Sequence, residues 1–225
     1  MKARQAAAGL ALCGAVGLAV LAWPRMIGGA VIAPFEDTLR GIARTRTVNA
    51  VEIREAREGA HVSLGWFDYG RTWKALGGFE LVAARVARTP EDQRAALAHS
   101  VDALRDGLAQ APGDAYAWLQ LAQADRALNG VRPTLNGPLR MSLNAAPYEH
   151  RLAIPRIEIA FRAWEFLEPD VRKAMAVQIK RAVDTAPVQL ARSTRRHFAL
   201  RFVRQSLADS PIHLQRFNIV YLNPD

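Results

Sequence analysis

The chain offers little to do chemistry with. Its 225 residues contain one cysteine, Cys13, set inside an apolar run. That excludes an internal disulfide and any CxxC metal or redox pair, and a thiol nucleophile goes with them. The five histidines, His61, His99, His150, His197 and His213, are scattered, with no HExxH and no close pair. Metal ligation is therefore not expected. There is no GxSxG and no phosphate-binding loop, and "GGFELVAAR" follows no strand, so it is not a dinucleotide fingerprint. Acids are plentiful, but none forms a pair with an evident general-acid role. No catalytic residue, cofactor or metal is expected, and the reading is of a non-enzyme. Aromatics are sparse at 8%, and β-branched residues seldom alternate in runs, which argues against sheets. Lysine is scarce too, so the net charge of +9 is carried almost wholly by arginine.

What is present is Ala, Leu and Arg, with half of all residues hydrophobic. This composition favours helices. The basic balance fits anionic lipid, an acidic polymer or nucleic acid. It fits equally a solvated surface, because most arginines are spread along the chain.

The first 33 residues form a membrane segment. "MKARQAAAGLALCGAVGLAVLAWPR" opens with Lys2 and Arg4, continues uncharged from Ala6 to Trp23, and closes with Pro24 and Arg25. Roughly 18 residues at 1.5 Å each nearly cross a ~30 Å hydrocarbon layer, and Trp23 suits its interface. "MIGGAVIAPF" adds apolar length. Two readings stay open: an uncleaved anchor, which the length favours, and a cleaved signal with Val20 and Ala22 before the cut. "LALC" is a poor lipidation signal, because Leu12 precedes Cys13. The positive-inside rule puts the short tail in the cytoplasm and exports the rest. The expected place is a bacterial inner membrane, single-pass, with the bulk in the periplasm. That disfavours nucleic acid as a partner.

Residues 34–48 read as a partly helical connector, 49–210 as an all-α domain and 211–225 as a tail. Asn49 with Glu52 makes a capping box. "RTWKALGGFELVAARVA" is a helix weakened by Gly77 and Gly78. Thr89 and Pro90 open a helix with Leu97, Val101, Leu104 and Leu108 on one stripe. "DAYAWLQLAQADRAL" is the next, and "NGVRPTLNGP" a loop before the short helix "LRMSLNAA". A helix with Ile157, Phe161 and Trp164 follows, kinked by Pro155, and then one with Val171, Met175, Ile179 and Ala182. The last long helix, after Pro187, carries Leu200, Val203 and Leu207. "FNIVYL" in the tail reads as a short strand or extended segment.

Pro112 and Pro147 stand about 35 residues apart, each ending a helix with "AP". Ser100, Leu104 and Gly107 give a small–large–small series before Pro112, and Trp118, Leu121 and Ala122 follow it as aromatic, leucine and small residue. In this the chain resembles the tetratricopeptide repeat, over about residues 90–165. The rest departs from the pattern. The resemblance implies an N-terminal transmembrane helix followed by a degenerate tetratricopeptide-like array of helical hairpins. "SLGWFDYGRTW", "PGDAYAWLQLA", "SLNAAPYEHRLAIPR" and "FLEPDVR" together resemble small membrane-anchored tetratricopeptide-like proteins of proteobacteria, which tend to be encoded among envelope and exopolysaccharide genes.

That resemblance also implies a groove. Trp118, Leu121 and Ala122 are core. Tyr116, Gln120, Gln123 and Arg126 take the groove positions, continued by Arg151, Glu158 and Arg162 on the following helix. The expected partner is a protein of the cell envelope. The densest basic run, "RSTRRHFALRFVRQ", offers Arg192, Arg195, Arg196, Arg201 and Arg204 to an anionic polysaccharide or lipid head group, with Phe198 and Phe202 in the core.

Overall fold

The computed structural model describes residues 2–43 and 49–223, with side chains for 12–35 and 49–223. All regular structure among the described residues is helical. The helices are α1 (Lys2–Ala43), α2 (Ala50–Trp66), α3 (Gly70–Val86), α4 (Pro90–Gln110), α5 (Ala115–Asn129), α6 (Asn136–Ala145), α7 (His150–Ala163), α8 (Pro169–Thr185), α9 (Pro187–Arg196), α10 (Leu200–Ser206) and α11 (Pro211–Leu222). They fall into two compact units, residues 1–111 and 112–225. The boundary falls at Pro112, inside the 49–210 stretch read as one domain.

In the first unit α1 runs unbroken past the expected connector start at 34, with Pro24 and Pro34 inside it. Residues 44–48 of that connector lie outside the described ones. Leu12–Phe35 is long and apolar enough to cross a membrane, by length and composition; 24 residues rise about 36 Å. Its two ends differ. Leu12, Val16, Leu18, Val20 and Leu21 are exposed, whereas Gly28 and Ile32 are buried against the rest of the unit. The Ser63 hydroxyl donates to the Gly28 carbonyl at 2.8 Å. The Phe35 ring lies so close to Gly59 that a Cβ there would fall 2.3 Å from it. "MIGGAVIAPF" is thus core for α2 as well as apolar length.

Caps form where the sequence places them. Asn49 accepts from the Val51 amide at 2.6 Å, Thr89 from Asp92 at 3.1 Å, and Asp114 from Tyr116 and Ala117 at 3.1 Å each. The α3–α4 pair corrects the reading of Gly77 and Gly78 as weak points, because both are buried in helix. A Cβ on Gly77 would sit 2.5 Å from Leu104 Cγ, and the Ser100 hydroxyl donates to the Gly77 carbonyl at 2.7 Å. The close approach of backbones outweighs the propensity cost of glycine.

In the second unit the predicted stripes of α7 and α8 bury together, among them Ile157, Phe161, Met175 and Ile179. Arg156 is fully buried at their centre. It donates to the carbonyls of Ser142 and Ala146 and to the Ser142 hydroxyl. These carbonyls lie at the C-terminal end of α6, where a cation meets the negative pole of the helix. Burial still pushes the guanidinium down to about 10. The "NGP" of the expected loop is helical instead. Buried Asn136 donates to Pro133 and Phe166 carbonyls and accepts from the Glu168 amide, and so fixes the start of α6.

Two C-terminal expectations are corrected. The last long helix is broken, with α9 ending in a left-handed residue, Phe198, at φ 52. The Phe198 amide donates to Arg195 O and the Ala199 amide to Thr194 O, which closes the helix as a Schellman motif normally built on glycine. Phe198 is not core but 94% exposed; Phe202 is half-buried and stacks on Trp164 at 5.0 Å. The tail is helix, not strand: "FNIVYL" lies in α11, where Leu214, Phe217 and Tyr221 at spacings of three and four pack on the core.

Candidate functional site

Helix α5 divides as its stripe predicts. Leu121 and Ala122 are buried, and half-buried Trp118 donates its indole N–H to Pro112 O at 2.7 Å. Of the groove residues on its other face, Tyr116 is exposed, and Gln120, Gln123 and Arg126 are half-buried. On α7 Arg151 and Arg162 are exposed and Glu158 is half-buried.

Five of these seven residues fall into two groups. Tyr116 is hydrogen-bonded to Arg151, and burial and the charge of Glu149 push its phenol up. Eleven residues farther along α7, about 16 Å, Arg126 and Arg162 interact through space. Burial, then the Arg162 charge, pushes the Arg126 guanidinium down. Arg126 Nε is shielded from solvent and has no hydrogen-bond partner.

The second group recruits one residue of the basic run. Arg196, at the end of α9, pairs with Glu158 at 3.2 Å. His197 follows it, with its ring 6.4 Å from that of Phe161 and Nε2 shielded and without a partner. Burial pushes this imidazole down, and the charges of Arg162, Arg196 and Arg126 add to the effect while Glu158 opposes it. Arg126, Arg162 and Arg196 thus surround His197, with Glu158 paired to Arg196 and the exposed, left-handed Phe198 beside them. Two shielded nitrogens without partners lie in this cation-rich corner. Sequence reasoning placed Arg126, Glu158 and Arg162 on one side of the hairpin. It missed His197 and Phe198, because no glycine or proline signals the break that carries them.

The other basic-run arginines do not make one surface. Arg195 donates to the Tyr221 carbonyl at 2.6 Å and lies over its ring. Arg201 pairs with Glu165 at 2.8 Å and lies over Phe202. Arg192 and Arg204 are exposed. The break at 197–199 divides the five between two helices.

A second constellation joins α8 to α11. Ser210 Oγ lies 2.6 Å from His213 Nδ1, and His213 Nε2 lies 3.2 Å from Asp184. The order resembles a nucleophile–base–acid relay. However, Asp184 is shared with Arg216 at 2.9 Å, and Pro211 gives the residue after the serine no N–H for an oxyanion. The arrangement serves as a tie that holds α11 on α8. Among the described residues no group of three His, Cys, Asp or Glu could hold a metal.

No family model, no curated protein and no solved structure matches this chain.

Proposed function

We propose that the protein is a non-enzymatic, membrane-tethered adaptor whose second unit binds an acidic segment of a protein partner. The carrying observation is the corner in which Arg126, Arg162 and Arg196 lie around His197, with Arg196 paired to Glu158. Phe198 supplies an apolar contact at its rim, and its exposure in a costly backbone conformation is the mark of a residue retained for contact rather than for packing. The antiparallel pairing of α3 with α4, α5 with α6 and α7 with α8 supports a degenerate tetratricopeptide-like reading. The sequence resemblance supports a single-pass inner-membrane location, with the bulk in the periplasm and a role in envelope polysaccharide assembly or export.

Direct binding of an anionic polysaccharide is the weaker reading, because Arg195 and Arg201 have partners within the unit and the five arginines of the basic run are divided between two helices. Both readings are tested by one experiment. The full-length protein is captured from membranes with its partners, as wild type and as Arg126→Glu/Arg162→Glu. Loss of one protein partner in the variant, with wild-type capture surviving ~0.5 M salt, supports the adaptor. Unchanged protein partners would remove the groove. Capture of polysaccharide that collapses with salt would replace the adaptor by the polymer-binding reading.

A further inference from the structure

At the end of the first unit from which α1 projects stands a collar of aromatic side chains. Helices α1 and α2 are antiparallel: Phe35 lies on Gly59, Gly28 under Ser63, and Arg25 stacks on the Phe67 ring at 4.7 Å. The same register brings Trp23 level with the "WFDYG" turn between α2 and α3. Trp23, Trp66 and Tyr69 are 58%, 48% and 50% exposed. Beyond them, toward the N-terminus, α1 is a bare apolar rod. An apolar helix emerging through a ring of Trp and Tyr is the arrangement that proteins adopt at a bilayer interface.

Within the collar, α1, α2 and α3 enclose a cleft of about 480 Å³ lined by Arg25, Phe67, Asp68, Tyr69, Thr72 and Gln110. It carries one charge of each sign. Arg25 is held flat by Phe67 and has no hydrogen bond or ion pair among the described residues. Asp68 accepts from the Trp73 indole at 2.6 Å and from Gln110 at 2.9 Å. These two bonds hold its carboxyl below the usual range, so it stays ionised. Arg25 and Asp68 do not pair with each other. A cleft with a separate cation and anion, open beside an apolar rod, fits a molecule with a phosphate, an ammonium and acyl chains.

We infer that this cleft is a head-group site for a zwitterionic phospholipid, with Arg25 on the phosphate and Asp68 on the ammonium, and that it seats the first unit on the bilayer surface. The inference rests on reading α1 as a membrane span. A purely anionic head group gains from Arg25 but meets Asp68, so selection goes to the zwitterion.

The test has two arms, both on the full-length protein. In nanodiscs of equal phosphatidylethanolamine and phosphatidylglycerol, native mass spectrometry reads which lipid stays bound. Wild type should retain phosphatidylethanolamine about tenfold over phosphatidylglycerol, as one charge-assisted bond provides. Asp68→Asn should return the ratio to that of the disc, whereas Arg25→Gln should lower retention of both lipids. Equal retention by wild type, or a preference for phosphatidylglycerol, overturns the assignment. In the second arm a Cys13→Ser background carries a spin label at Val16→Cys, Tyr69→Cys or Val51→Cys, and depth is read by paramagnetic quenching. The expected order is hydrocarbon, interface and water, since Val51 lies about 22 Å along α2 from Trp66. A label at 16 outside hydrocarbon removes the span itself. A label at 16 in hydrocarbon with one at 69 in water keeps the span and overturns the seat.

Discussion

Phe198→Gly should make the protein more stable and a worse binder. An L-residue in the left-handed region costs roughly 1–2 kcal/mol, and Phe198 occupies it at φ 52. Removing the ring forfeits almost no burial, because the residue is 94% exposed. Glycine in turn raises the entropy of the unfolded chain, which costs about 0.5–1 kcal/mol. The difference favours the variant by about 0.5–1 kcal/mol, or roughly 1–4 °C in Tm for a chain of this size. Phe198→Ala keeps the strained backbone and also loses no burial, so its Tm should match wild type. The assay is thermal unfolding of the full-length chain in detergent, followed by helical circular dichroism, beside capture of the partner. Both variants should lose partner while only the glycine variant gains Tm. A glycine variant no more stable than the alanine one would refute the argument from strain. Undiminished capture by both would remove Phe198 from the binding surface.

Gly77→Ala should destabilise the first unit by about 1–3 kcal/mol through overpacking on Leu104, seen as a lower denaturant midpoint; an unchanged midpoint would mean that the α3–α4 contact yields easily. Arg156→Leu removes three hydrogen bonds to the end of α6 and should cost about 2–4 kcal/mol by chemical denaturation. The pH dependence follows from His197. Its folded pKa lies below the ordinary 6.5, so between the two values the unfolded chain holds a proton that the folded chain lacks. Stability from this group is therefore full above pH 6.5 and falls as pH drops through that window. His197→Gln should flatten that part of the profile. An acidic partner would offset the three arginines and raise the same pKa, so binding near pH 6 should take up a proton, measurable by calorimetry in buffers of different ionisation heat.

Much of the helical layout is legible in the sequence. Thr89 with Pro90, and leucines at 97, 104 and 108 with Val101, specify α4 by capping and period alone. The glycines at 77 and 78 mislead, because propensity speaks for an isolated helix whereas here a second backbone occupies the space a Cβ would need. The break at Phe198 is hidden for a related reason: a left-handed cap carries a local signature only when glycine or asparagine fills it. The site is half legible. Arg126 and Arg162 sit at readable spacings on their own helices. That Arg196 and His197 meet them is tertiary information, carried by the Schellman turn that ends α9.

The two-sided nature of α1 has a consequence for biogenesis. Ile32 and Phe35 complete the core around Ala56, Ala60 and Phe79. On the proposal that α1 spans a membrane, the first unit closes over a helix whose other half lies in lipid, so its final assembly belongs at the membrane surface rather than ahead of insertion. A chain beginning after Phe35 would be born with a groove where its keystone should lie.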